Sequence, residues 1–121
     1  MGAIEVARRW DRALREEDYE GARSLLAPDA TWQGTEPNAV CRDSDEIIDT
    51  MRRNRSIVAE PPSAEFEQHG DVVLARLRFA GGEPAAELYQ VITVRDGRIV
   101  HLRDYADRDD ALASCGVVPR R

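Results

Sequence analysis

Apolar residues in the first half of the chain recur at the spacing of a helical face. From Ala3 to Leu14 they are separated by three or four positions, while arginines occupy the opposite side of the same helix. Asp18 is placed to cap a second, short helix that Pro28 ends, and Asp43 precedes a third apolar stripe at capping-box spacing. The pattern therefore predicts three helices in this half.

The pattern changes after Pro61 and Pro62, where apolar and polar residues begin to alternate with a period of two. Asp96 and Gly97 form the dipeptide that is typical of a tight hairpin turn. Helices followed by antiparallel strands are typical of the α+β class, and we expect one domain that covers residues 1–121. The predicted strands are Ala30–Trp32, 64–69, Val72–Phe79, Glu87–Val94 and Ile99–Ala106.

The last hairpin brings the candidate site residues together. If Asp96–Gly97 is a two-residue loop, counting back along both strands places Tyr89 opposite Asp104 and Val91 opposite Leu102. These residues then share one face, which is apolar in its middle and polar at one end. We expect this face to form the wall of a pocket, and we expect the mixed opposite face to be exposed or to form a homodimer.

Asp104 is the main candidate for chemistry on this face. A single carboxylate among apolar side chains and tyrosine should have a raised pKa, because burial disfavours the charged form. We predict that Asp104 and Tyr89 are catalytic. The alternative is a surface salt bridge from Asp104 to Arg103 or Arg76, and a shift of one residue would exchange the two faces. The predicted substrate-binding residues are Trp10, Trp32, Arg76, Glu87, Val91 and Leu102.

Charge and composition narrow the classes of partner. The net charge is -6, so the protein should repel a nucleic acid backbone or an anionic membrane, and we expect neither as a partner. All 17 basic residues are arginine, which excludes chemistry that depends on a lysine amine. Cys41, Cys115 and two distant histidines match no metal-ligand spacing, so we expect no metal and no cofactor. The charged segment Met1–Trp10 does not resemble a secretory signal, which favours a cytoplasmic protein.

Several motifs in order along the chain resemble those of SnoaL-like proteins, which are nuclear-transport-factor-2-like. The segment Gly97–Asp107, followed by Arg108–Leu112, is similar to the closing strand of these proteins. The aromatic residue at Trp10, the run Leu25–Trp32 and the helix that includes Asp45–Ile48 are similar to their opening. The resemblance covers nearly the whole chain. It implies a cone-shaped, curved and mainly antiparallel mixed sheet on three N-terminal helices, enclosing one pocket, which is the cystatin-like α+β barrel.

The same resemblance implies a class of chemistry. Limonene epoxide hydrolases use an Asp at the position of Asp104 in an Asp-Arg-Asp arrangement. Here the neighbouring strand supplies Arg76 or Arg78 but no second Asp after Asp71, so that mechanism is disfavoured. Ketosteroid isomerases share the fold, and Tyr89 with Asp104 offers similar chemical groups. Polyketide cyclases of the SnoaL type use one Asp without a cofactor. We therefore expect cofactor-free acid/base catalysis, as an isomerase, cyclase or related hydrolase, on a small apolar or polyketide-like molecule. The alternative is a non-catalytic ligand-binding or dimeric accessory protein.

Overall fold

The computed structural model describes residues 2–58, 60–82 and 85–116. Within these ranges the chain forms four helices and six strands. The helices are α1 (Ala3–Arg15), α2 (Tyr19–Ser24), α3 (Ser44–Ile57) and α4 (Arg108–Ser114). The strands are β1 (Leu26–Gln33), β2 (Val40–Cys41), β3 (Ser63–His69), β4 (Val72–Phe79), β5 (Ala86–Arg95) and β6 (Arg98–Tyr105). The three predicted helices are confirmed, but α2 ends at Ser24 and not at Pro28, which lies within β1. Strand β2 and helix α4 were not predicted from the sequence.

The helices begin where the polar caps stand in the sequence. The side chain of Asp18 accepts a hydrogen bond from the backbone N–H of Gly21 at the start of α2. Asp43 accepts one from the backbone N–H of Glu46 at the start of α3, over 2.9 Å. Each bond satisfies a backbone donor that the first helical turn leaves without a partner. These short-range signals fixed both helix starts in the predicted places.

The strands form one mixed sheet in the order β2-β1-β6-β5-β4-β3. Neighbouring strands are antiparallel except β1 and β6, which are parallel. The predicted α+β class with a mixed sheet is therefore confirmed. The sheet ends at two edge strands, β2 and β3, so it remains open and does not close into a barrel.

The two faces of the sheet carry different layers. Helix α1 packs against β3, β4 and β5, and α3 packs against β1, so these helices cover what we call the inner face. The main core lies there, with Trp10 of α1 and Ile47 of α3 against Ala75 and Ile92 of the sheet. Helix α4 packs on β5 and β6 from the other side, the outer face, where Val91 meets Ala111. A ligand site on the inner face is therefore walled by helices, whereas the outer face has only α4.

The hairpin between β5 and β6 departs from the predicted register. Its turn is tight as expected, because Asp96 and Gly97 have φ values of 54° and 76°, which suit a two-residue hairpin loop. Beyond the first two residue pairs a bulge leaves Val100 as one extra residue in β6. The observed partner of Asp104 is Gln90 rather than Tyr89.

Because of this bulge, the predicted inward face is right for the residues of β6 and wrong for those of β5. Leu102 and Asp104 point to the inner face, as predicted. At the turn the inner pair is Val94 and Ile99, and the extra residue then brings Leu102 and Asp104 onto the same face. The residues of β5 are reversed: Ile92 pairs with Leu102 on the inner face, whereas Tyr89 and Val91 lie on the outer face. The prediction that Tyr89 and Val91 share a face with Asp104 is therefore wrong. The cause is the extra residue, since one position changes which side of a strand faces inward.

Candidate functional site

A cavity of about 170 Å³ lies between the helices and the inner face of the sheet. It is partly open to solvent, and most of its wall is apolar. Many of its apolar residues come from α1 and from strands β3 to β5, and these include Trp10, Leu14, Phe66, Leu77, Phe79 and Ile92. Two parts of the wall are polar. One is the floor of the cavity beside β6, and the other is the rim near the end of α3.

The polar floor is a hydrogen-bonded group of three side chains from neighbouring strands. The indole Nε1 of Trp32, on β1, donates to Oδ2 of Asp104 over 3.0 Å. The amide Nε2 of Gln90, on β5, donates to Oδ1 over 2.9 Å. Gln90 stands directly opposite Asp104 in the sheet, and Trp32 stands opposite Leu102. Trp32 and Gln90 line the cavity, and Asp104 lies behind them.

Asp104 is the one buried acidic side chain in the part of the chain that the structure describes, with 8% of its surface exposed. Burial raises its pKa above the ordinary value of an aspartic acid, because a charge is less stable away from water. The hydrogen bonds from Gln90 and Trp32 favour the charged form and offset part of this effect. The expected upward direction of the Asp104 pKa is therefore confirmed. The site holds an acid that is easier to protonate than one in water.

The rim of the cavity carries charged and amide side chains from two helices. Nε of Arg15 donates to Oδ2 of Asp11 over 2.8 Å, and its Nη2 donates to the carbonyl of Pro62. Nη1 of Arg55 donates to the carbonyl of Val58 over 3.3 Å, just after α3 ends. All of these residues belong to the wall of the cavity. The apolar interior therefore opens onto a polar rim in which one of the two arginines has a carboxylate partner.

A second polar cluster lies on the outer face, away from the cavity. Glu87 accepts hydrogen bonds from Arg76 over 2.6 Å, from Arg78 over 3.0 Å and from the hydroxyl of Tyr89 over 2.7 Å. Arg76 first, then Tyr89 and Arg78, lower the pKa of Glu87 to about 2. The sequence analysis placed Glu87 and Tyr89 on the face of Asp104 and named Arg76 as a substrate-binding residue. The structure places them on the opposite side of the sheet because β5 is reversed by the bulge.

The structure therefore brings some of the predicted site residues together and separates others. Trp10 and Trp32 line the cavity, Asp104 lies behind Trp32 and Gln90, and Leu102 is buried in the adjoining core. Gln90 was missed, although an amide inside the apolar run of β5 was a usable signal. Arg55 was also missed, because a basic residue in the last turn of a helix is ordinary.

Two further properties concern metals and membranes. Across residues 2–58, 60–82 and 85–116, no group of three or more His, Cys, Asp or Glu side chains is arranged to hold a metal ion. None of the helices in those ranges combines the length and apolar character that a membrane span requires.

The fold and the walled cavity define the nuclear-transport-factor-2-like class of α+β proteins. Within that class, the family model of the SnoaL-like domain matches residues 7–102, and the chain belongs to this family. No curated protein sequence matches the chain significantly.

Solved structures of the same class resemble this chain across most of its length. A putative polyketide cyclase from Sinorhizobium meliloti is 19% identical with a TM-score of 0.71, over 87% of this chain and 100% of the other. TerC, co-crystallised with polyporic acid, is 18% identical with a TM-score of 0.71, over 94% and 98%. An NTF2-like protein of unknown function from Cytophaga hutchinsonii is 16% identical with a TM-score of 0.69, over 91% and 94%. These likenesses establish the fold.

Proposed function

We propose that the cavity binds a small, mostly apolar molecule and that Asp104 exchanges a proton with it, without a cofactor. The observation that carries this proposal is the floor of the cavity, where a buried carboxylate with a raised pKa is held by two side chains of the cavity wall. Perturbed acids beside an apolar cavity are typical of acid/base sites. The SnoaL-like family membership supports the same class of chemistry.

The raised pKa suits Asp104 to both directions of proton transfer. A base is most useful when its pKa approaches the working pH, and a positioned acid or base contributes about 10²- to 10⁴-fold to a rate. Both oxygens of Asp104 accept hydrogen bonds from Trp32 and Gln90. Each oxygen keeps a second lone pair, but Asp104 lies behind Trp32 and Gln90, so proton transfer requires one of these side chains to move aside and open a path from the cavity to the carboxylate. Gln90 and Trp32 become the side chains that present the acid to the ligand.

The size of the cavity favours a ligand with one ring inside it. Its volume of about 170 Å³ is close to that of engineered apolar cavities of roughly 150 Å³, which bind benzene. Larger parts of the ligand would extend through the open side toward the rim. The two structural neighbours described as a putative polyketide cyclase and as a complex with polyporic acid support a small organic ligand in this fold.

Hydrogen–deuterium exchange of a bound ketone tests the proposal without knowledge of the natural product. 2-Tetralone supplies an aromatic ring and acidic C–H groups beside a carbonyl, and proton NMR in deuterated water follows their exchange. We expect the wild-type protein to accelerate exchange and Asp104→Asn to lose at least about 100-fold of that acceleration. Ligand binding, followed by chemical-shift changes, should remain in the variant.

Asp49→Asn is the matched control, because Asp49 is an exposed residue of α3 and the substitution is the same. It should exchange the ketone at the wild-type rate. Full acceleration in Asp104→Asn would rule out Asp104 as the acid or base.

A second candidate function is ligand binding without turnover. The observation that favours it is the position of Asp104 behind Trp32 and Gln90, with both carboxylate oxygens occupied. In this case 2-tetralone would bind to the wild-type protein, and its exchange would remain at the rate in buffer. The same experiment therefore separates the two functions.

The homodimer expected from the sequence would use the outer face of the sheet. Helix α4 already covers part of this face over Leu74 and Val91, so the remaining contact area would surround the half-exposed Glu87 cluster. Sedimentation equilibrium at micromolar concentration is the measurement, and a stable monomer would contradict this expectation.

A further inference from the structure

We propose that Arg55 makes the cavity selective for ligands that carry a carboxylate beside their apolar body. This inference rests on the proposed function, because it takes the cavity to be the ligand site. Arg55 stands in the last turn of α3 and forms part of the cavity rim, together with Asn54 and Val58.

The guanidinium of Arg55 has one edge without a protein partner among the described residues. Its hydrogen bond to the carbonyl of Val58 uses Nη1. Its Nε is buried and has no hydrogen-bond partner among the described residues. Nε and Nη2 lie on the same edge of a guanidinium and together match the two oxygens of a carboxylate. A buried donor without a partner is unfavourable, and a rotation of the guanidinium that turns this edge into the cavity would let a ligand carboxylate satisfy it.

The neighbouring charges leave this position positive. Arg15 also lines the rim, but it is paired with Asp11 and bonded to the carbonyl of Pro62. Arg55 forms no ion pair within residues 2–58, 60–82 and 85–116. The chain as a whole carries a net charge of -6, so its average field repels anions. A local positive rim on an acidic protein therefore provides selectivity rather than general attraction.

The helix end gives Arg55 an alternative, structural role. A basic side chain in the last turn interacts favourably with the helix dipole, and the bond to Val58 caps the end of α3. That role uses Nη1 and predicts an effect on stability only. The proposed role uses the other edge and predicts an effect on the choice between ligands.

The test compares two ligands that differ only in charge, 3-phenylpropionate and 3-phenylpropanamide. Dissociation constants are measured by calorimetry for the wild type and for Arg55→Met. We expect the wild type to bind the carboxylate about 10- to 100-fold more tightly than the amide, as for a hydrogen-bonded charged group. Arg55→Met should bring the two constants to within about threefold while its affinity for the amide stays near that of the wild type. Retained amide binding also shows that the variant is folded.

Two further variants sharpen the result. Arg53→Met makes the same substitution at an exposed position of α3 and should keep the wild-type preference. Arg55→Lys keeps the charge but removes the two-pronged edge, so its preference should fall between those of the wild type and Arg55→Met. Equal binding of acid and amide by the wild type, or a full preference in Arg55→Met, would overturn the inference and leave the cavity as the ligand site. If neither compound binds to the wild type, the proposed function fails as well.

Discussion

Two carboxylates on adjacent strands show opposite electrostatic behaviour on the two faces of one sheet. Asp104 on β6 faces inward, is 8% exposed and has a raised pKa. Glu87 on β5 faces outward, and its pKa falls to about 2. Both side chains accept hydrogen bonds through both oxygens. The number of hydrogen bonds therefore does not decide the direction of the shift.

The direction of the pKa shift is decided by burial and by whether the hydrogen-bond donors are charged. The donors to Asp104 are a neutral indole and a neutral amide, which stabilise the charge less than burial destabilises it. Glu87 has the guanidinium groups of Arg76 and Arg78 beside it, together with the hydroxyl of Tyr89, and its burial is slighter. One sheet thus carries an ion cluster on one face and a buried acid with a raised pKa on the other.

The largest difference between the two faces is expected in the free energy of unfolding, because the apolar core lies on the inner face. Ile92→Ala, on the inner face, removes a fully buried side chain and should lower the free energy of unfolding by about 2–5 kcal/mol. Thr93→Ala, the next residue on the outer face, is half-buried and should cost less than about 1 kcal/mol. Urea denaturation measures both. Similar losses in the two variants would contradict the assignment of the inner face to the core.

A smaller effect should follow the loss of one neutral donor. Trp32→Phe removes the hydrogen bond to Oδ2 of Asp104 and should raise the pKa of Asp104 further, with a cost of about 1.5–3 kcal/mol when the carboxylate is charged. A raised native pKa means that the folded state binds the proton more tightly. Stability therefore falls as pH rises from the unfolded value of about 3.9 through the native pKa. The loss should be larger in Trp32→Phe.

Unfolding curves at several pH values and carbon-13 NMR of the carboxyl group measure these changes. Trp10→Phe is the control. Trp10 lines the same cavity, but the indole that donates a hydrogen bond to Asp104 belongs to Trp32. An equal rise of the Asp104 pKa in both variants would show that burial alone, and not the Trp32 bond, is responsible.

The smallest effect on stability is expected on the outer face. Arg76→Gln removes the strongest influence on Glu87, so the pKa of Glu87 should rise from about 2 toward its ordinary value. A lowered native pKa stabilises the fold above the unfolded value, and this contribution is lost as pH falls through the native pKa. Carbon-13 NMR titration measures the shift, with Arg98→Gln at an exposed position as the control. An unchanged pKa of Glu87 in Arg76→Gln would show that the charge of Arg76 does not lower this pKa.

The sequence was sufficient for the elements whose signals are local. The caps at Asp18 and Asp43, the apolar stripe of α1 and the turn at Asp96–Gly97 all depend on residues a few positions apart. The change from helical periodicity to alternation also identified the fold class, although β2 and α4 were not predicted. Helix α4 was missed because a seven-residue helix has a short pattern, although Asp107 caps it.

The side of β5 that faces the helices could not be derived from the sequence in the same way. Apolar residues occur on both of its faces, since Leu88 and Ile92 face the helices and Val91 faces α4. Alternation therefore gave no preference between the two registers, and the bulge at Val100 has no sequence signature of its own. The predicted face is right for Leu102 and Asp104 of β6 and wrong for Tyr89 and Val91 of β5.

The bulge decides which residues of β6 face the cavity. Because Val100 is the unpaired extra residue, deletion of its codon would close the bulge and leave the later pairs, from Thr93–His101 to Tyr89–Tyr105, unchanged. If Val100 were instead paired with Thr93 in a regular hairpin, the later residues of β6 would change sides, so that His101, Arg103 and Tyr105 would face the cavity and Asp104 the outer face. The direction of the Asp104 side chain therefore depends on one unpaired position in the strand as much as on the identity of the residues around it.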